Sequence, residues 1–180
     1  MGKLVYHVAV SVDGFIARQD GSIDGFIMQG EHADEYAREL QDYGVSIMGR
    51  KTYEFGYQYG MPPGTNPYKH MQTYVISDSL QLPQDKDLSL HQLGRDSLTQ
   101  IRQILEDAQK DVYLCGGSLL AGYLLSHRLI HRLVLKVNPV VLGQGRPLFE
   151  NFNSVVNLNL LSAKKYENGV FKNEYQVLTQ

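Results

Sequence analysis

Apolar and polar positions change period several times along the chain, and each change marks an element. Lys3 to Val12, KLVYHVAVSV, is a nearly continuous apolar run and predicts a strand buried on both faces. Residues 13–30, rich in glycine and polar residues, predict a long loop, a kind of segment that is often functional inside a compact domain. Ala33, Tyr36, Ala37, Leu40 and Tyr43 recur at helical spacing and predict a helix with that stripe turned inward. Val45 to Met48 is a second short buried strand, and Lys51 to Tyr57 continues as helix. Gly60 to Pro67, GMPPGTNP, is a loop by composition. Thr73 to Ser77 is a third strand and Leu88 to His91 a short fourth.

Ser97 to Gln100, SLTQ, has the form of a capping box. It predicts a helix running to Ala108, with Leu98, Ile101, Leu105 and Ala108 on one face. Asp111 to Cys115 reads as another strand, Ser118 to Ser126 as a helix, and Ile130 to Val141 as a longer strand. Two strand-like runs, Val155 to Tyr166 and Val170 to Leu178, flank Asn168-Gly169, a strong short-range hairpin signal. The alternation predicts an α/β fold: a mainly parallel central sheet, helices on both faces and a C-terminal antiparallel hairpin.

Composition narrows the partners. With 180 residues the chain fits one domain, and 43% hydrophobic with 20% charged residues suits an ordinary globular protein. A formal net charge of -2 and no basic stripe argue against nucleic acid. No apolar run reaches membrane-spanning length, so no membrane partner is expected. Cys115, the single cysteine, sits in an apolar run and reads as a small buried hydrophobe in a cytoplasmic protein. His127 and His131 have i, i+4 spacing, but a helix boundary is expected between them, so no metal site is expected.

The chemistry is carried by glycine turns. Gly44 to Thr52, GVSIMGRKT, nearly spells a P-loop, but the residues between its glycines are strand residues and an Arg precedes the Lys. The arrangement is therefore strand, Gly49-Arg50, helix. A helix start offers unpaired N–H groups and partial positive charge to a phosphate, and Arg50, Lys51 and Thr52 add donors. The same segment also reads as a plain strand-to-helix turn with a solvated Arg-Lys pair. Gly116-Gly117 repeats the device ahead of Ser118 and Leu119. Two such turns at the carboxyl ends of strands suit an extended dinucleotide.

Val45 to Glu54, VSIMGRKTYE, and Val112 to Ser118, VYLCGGS, resemble the cofactor-binding segments of dihydrofolate reductases. Val10 to Ala17, VSVDGFIA, and Asn138 to Phe149, NPVVLGQGRPLF, narrow the resemblance to the reductase domain of the bacterial riboflavin-biosynthesis deaminase–reductase and its stand-alone relatives. The resemblance implies a dihydrofolate reductase-like reductase that uses NADPH on a small heterocyclic or aminopyrimidine-type substrate. It implies cofactor contacts from Val10, Gly49, Arg50, Lys51, Thr52, Ser77, Ser79, Gly116, Gly117, Ser118 and Leu119, and a homodimer. The chain lacks the Trp that dihydrofolate reductase carries after its first strand, so poor turnover of dihydrofolate is expected.

A proton donor is harder to place. Asp13 reads either as a carboxyl facing substrate or as an Asx turn. Asp34 flanks the apolar stripe of its helix and Glu35 falls opposite it; both also suit a helix N-terminus. A protein that binds NADPH without turnover, as a sensor or structural ligand, and a divergent dihydrofolate reductase are the alternative readings.

Overall fold

The computed structural model describes residues 1–178. The chain runs β1 (Leu4–Ser11), β2 (Phe15–Ala17), α1 (Glu31–Glu39), β3 (Val45–Gly49), α2 (Arg50–Glu54), β4 (Gln72–Ile76) and β5 (Leu90–Leu93). It continues with α3 (Leu98–Asp107), β6 (Val112–Gly116), α4 (Ser118–Ser126), β7 (Ile130–Asn138), β8 (Arg146–Pro147), β9 (Asn157–Lys165) and β10 (Phe171–Leu178). The main sheet has the order β5-β4-β3-β6-β1-β7-β10-β9. The six strands from β5 to β7 are mutually parallel; β10 is antiparallel to β7 and to β9. The architecture is thus the α/β sheet with a closing hairpin that the sequence pattern predicts. Among the described residues, no helix is long and apolar enough to cross a membrane.

Alternation along β1 sorts the layers. Leu4 and Tyr6 point to the face covered by α3 and α4, where Ile101, Leu105, Leu124 and Leu125 complete the largest core cluster. Val5 points to the other face and packs with Tyr43, Met71, Tyr113 and Val134, joined by Tyr36 and Leu40. Beside it, Met48, Tyr53, Val75 and Leu90 form the core beneath α2. Both faces of β1 are buried, which is why its sequence shows no polar alternation.

Three expectations need correction. The first concerns α1, which ends at Glu39 and continues as a short 3-10 turn, Leu40–Asp42. Its inward face carries His32, Tyr36 and Leu40, while Ala37 is exposed. Glu35, expected to face away, has a side chain only 17% exposed and meets Lys164 at 2.5 Å and also Lys172. The cause lies in the sheet: β9 and β10 present Lys164 and Lys172 to this helix, and its carboxylates turn toward those charges. Asp34 is the exposed one.

The second is the capping box. Ser97 does precede α3, and its carbonyl accepts the first helical bond from Ile101 N–H. Its φ of -86 and ψ of 22 do not aim the hydroxyl at the helix start, however, and that hydroxyl is buried without a partner. The third is the loop at 13–30, which contains β2. This strand pairs with β8 in a separate two-stranded sheet. Gly145 permits the approach: a Cβ there would lie 2.3 Å from Ala17 carbonyl oxygen.

Candidate functional site

The two glycine turns lie side by side. β3 and β6 are parallel neighbours, with Met48 opposite Gly116, so Gly49 and Gly117 leave the same edge of the sheet. Gly49 is the N-cap of α2 and Gly117 the N-cap of α4. A Cβ on Gly49 would stand 3.8 Å from Gly117 N and 3.9 Å from Gly116 O. Thr52 Oγ1 reaches the same spot, 3.3 Å from a Cβ on Gly117. The Gly116–Gly117 peptide is cis.

Gly49 is informative because the fold does not require it. Its φ of -79 and ψ of 160 suit any residue, and its missing side chain would meet only ordinary contacts. A glycine that the backbone does not need leaves room for a ligand to approach.

The remaining predicted cofactor residues divide. Val10 is buried in β1 opposite Val137 and shapes the floor of the strand end. Arg50 is 41% exposed on its side chain and pairs loosely with Glu54 at 3.8 Å. Lys51 is exposed and Leu119 is 54% exposed. Ser118 is buried, and its hydroxyl donates to Glu150 Oε2 at 2.9 Å, so the helix start offers its backbone N–H rather than this hydroxyl. Ser77 Oγ accepts from Ser79 N–H at 3.1 Å and Leu80 N–H at 3.0 Å, shaping the turn after β4. Asp78, between them, accepts from Arg95 N–H at 2.9 Å and pairs with its guanidinium at 3.4 Å. Sequence reading missed Arg95; as the basic residue that follows the end of the neighbouring strand β5, it was findable once β4 and β5 were placed side by side.

The two candidate carboxyls lie apart. Asp13 accepts from Ser11 hydroxyl at 2.6 Å, from Leu142 N–H at 3.1 Å and from Gly143 N–H at 2.7 Å. The Ser11 hydrogen bond, aided by those backbone N–H groups, holds its carboxyl below the usual range. Asp13 thus stays ionised and ties the loop after β1 to the loop after β7. Asp34 projects from the exposed side of α1.

A polar cluster that sequence reading passed over lies on the α1 face of the sheet. Lys136 of β7 extends over the ring of Tyr36, its Nζ 3.3 Å from the centroid. Tyr36 and Tyr113 hydroxyls are 2.6 Å apart, and Tyr68 hydroxyl lies 3.4 Å from Cys115 Sγ. Burial pushes all three phenols and the Cys115 thiol up, so these groups stay protonated. Tyr36 had read as part of the inward stripe of its helix, and nothing in the spacing of β7 singles out Lys136. A cavity of ≈ 320 Å³ opens farther along this face, toward the amino end of β7. Several of its charges are paired among themselves: Arg132 with Asp111 and Glu174, Lys172 with Glu39.

Residues 2–172 match the family described as the RibD C-terminal domain. The chain is 31% identical over 169 residues to the uncharacterized protein YwjB of Bacillus subtilis strain 168, covering 93% of this chain and 94% of that protein. A putative riboflavin biosynthesis protein from Shewanella sp. PV-4 superposes with a TM-score of 0.82 at 21% identity, over 99% of this chain and 100% of that one. Dihydrofolate reductase from Enterococcus faecalis, solved as a complex with NADP(H), superposes with a TM-score of 0.67 at 14% identity, over 98% and 97%. At these identities the structural likenesses establish the fold, which is dihydrofolate reductase-like.

Proposed function

Because the chain belongs to the RibD C-terminal domain family, we propose that it is an NADPH-dependent reductase of a small heterocyclic, aminopyrimidine-type substrate. The observation that carries this reading is the gap between Gly49 and Gly116-Gly117, which a Cβ would invade and the fold leaves open. The residues present fit the cofactor. The first N–H groups of α4, on Ser118 and Leu119, and those following Gly49 at α2 would hold the pyrophosphate. Thr52 adds a hydroxyl between the turns. Arg50 would take the adenosine 2′-phosphate, with the turn Ser77 to Ser79 beside it. Bound, the nicotinamide supplies a hydride; the protein orients it and excludes water. Oxidation of NADPH by candidate aminopyrimidines, with dihydrofolate as the poor comparison, tests the reading. Tight NADPH binding without turnover of any of them would favour a sensor instead.

Cofactor preference gives a sharper expectation. NADPH should bind more tightly than NADH, and Arg50→Ala should erase the difference. A charge-assisted contact of about 1.5–3 kcal/mol corresponds to roughly 10–100-fold in affinity. Asp78→Ser should widen the preference, since it removes a carboxylate and releases Arg95. Titration of both cofactors by fluorescence measures this. An unchanged ratio in Arg50→Ala removes Arg50 from the 2′-phosphate site.

The same reading includes a cytoplasmic homodimer. β9 is the sheet edge and is exposed along its whole length, with Leu158, Leu160 and Leu161 between 41% and 55% exposed. Bare apolar edges are normally covered. Light scattering should give twice the 20.4 kDa of one chain. A monomer mass across a range of concentrations would refute it.

A further inference from the structure

We propose that Lys136 is the proton donor of this site, and that the substrate is reduced at a polar double bond whose oxygen or nitrogen Lys136 faces. The inference rests on the reductase reading above and names the chemical class of its substrate: a carbonyl or imine. The geometry comes first. Lys136 pairs with Ala9 of β1, and β1 separates β7 from β6, the strand that ends in the glycine turn. Two strand spacings put β6 and β7 about 10 Å apart. That is room for a flat heterocycle over Ala9, with the glycine turns on one side and the ammonium on the other. Ala9, Cys115 and Gly117 are all partly exposed here, so the floor is open.

The charges facing Lys136 make it distinctive. From α1 come Tyr36, whose ring it covers, and Glu39. Glu39 is occupied by Lys172 of β10, which also holds Glu35. From β1 comes His7, buried without a hydrogen-bond partner, its Nε2 3.9 Å from Glu39, and held neutral, first by burial and then by Lys136 itself. From β6 and the segment before β4 come Cys115, Tyr113 and Tyr68, all neutral. Among the described residues no carboxylate lies within salt-bridge distance of Lys136, so its charge awaits an oxygen. Burial pulls its ammonium down to about 8, partly offset by Glu39 and Cys115. Asp13 is ionised and pinned to a turn; the phenols are too weakly acidic. Only Lys136 among these groups gives up a proton near neutrality.

The step balances. Hydride adds to the substrate carbon, and the π pair moves onto the oxygen or nitrogen. One N–H of Lys136 donates its proton to that atom, and the neutral amine regains a proton from water.

Two readouts test it. Limiting acetic anhydride, followed by peptide mapping, should acetylate Lys136 with a midpoint near 8, below the ordinary lysine value of about 10.4, and NADPH should protect it. With a turned-over substrate, kcat/KM should fall above about pH 8 in the wild type. Lys136→Met should lose roughly 10²–10⁴-fold, and Lys136→Arg, which keeps the charge, should lose activity and move the alkaline limb upward. Failure of the wild type to bind NADPH overturns the proposed function, and this inference falls with it. If NADPH binds, then an ordinary acetylation midpoint, an unprotected Lys136 or an unmoved pH limb in Lys136→Arg overturns this inference alone.

Discussion

Gly122→Ala should lower the melting temperature by roughly 6–12 °C. Gly122 sits in the middle of α4, where alanine is ordinarily the better helix former by about 1 kcal/mol. Here the sign reverses. A Cβ at 122 would lie 2.0 Å from Glu150 carbonyl oxygen, 3.1 Å from its carbon and 3.3 Å from its nitrogen. All three are backbone atoms, so no side-chain rotation relieves the clash. The segment cannot drift away either: Glu150 N–H donates to Ser118 O at 3.1 Å, and Ser118 hydroxyl donates to Glu150 Oε2 at 2.9 Å. Overpacking of this kind costs about 3 kcal/mol. In a chain of this size each kcal/mol shifts the midpoint by about 2–4 °C. Thermal denaturation followed by circular dichroism reads it directly. A midpoint within about 2 °C of wild type would show that the chain at Glu150 yields freely.

Gly49→Ala should do the opposite: leave stability nearly intact and weaken NADPH binding by roughly 10–100-fold. Its backbone angles suit alanine, and its new Cβ would meet Gly117 N at 3.8 Å, an ordinary contact. The cost to the fold is that of replacing an N-cap glycine, about 1 kcal/mol or less. The methyl would nonetheless stand in the gap between the turns, where the pyrophosphate would pass. Forcing one methyl into a filled site costs about 1–3 kcal/mol, which sets the expected loss. Calorimetric titration alongside a thermal melt separates the two effects. Unchanged NADPH affinity in a stable Gly49→Ala protein would remove the gap from the cofactor path.

What could be read from the sequence depended on how local its cause was. β1, β3 and β6 were legible because strands buried on both faces are continuously apolar. The glycine turns were legible because strand, glycine and helix follow one another directly. The face of α1 was not: its orientation answers to Lys164 and Lys172, on strands about 130 residues away. The two-residue strand Arg146–Pro147 has no periodicity to detect and exists because Gly145 passes close to Ala17. Within the site, Glu150 takes up the hydroxyl of Ser118 and Arg95 pairs with Asp78, contacts that no local pattern announces. Each surprise is a charge or hydrogen bond whose partner lies far along the chain.

The place of β1 at the centre of the sheet bears on how this protein is born. β1 leaves the ribosome well before either of its neighbours: Leu4 pairs with Val112 of β6 and with Ile130 of β7. At roughly 5–20 residues per second of synthesis, β1 waits about 5–20 s for its first partner. Throughout that interval LVYHVAVS is an apolar ribbon with both hydrogen-bonding edges bare. Such a nascent segment is the natural client of a holding chaperone, and the yield of folded protein in a cell should follow translation speed through residues 4–112 more closely than the final stability of the sheet.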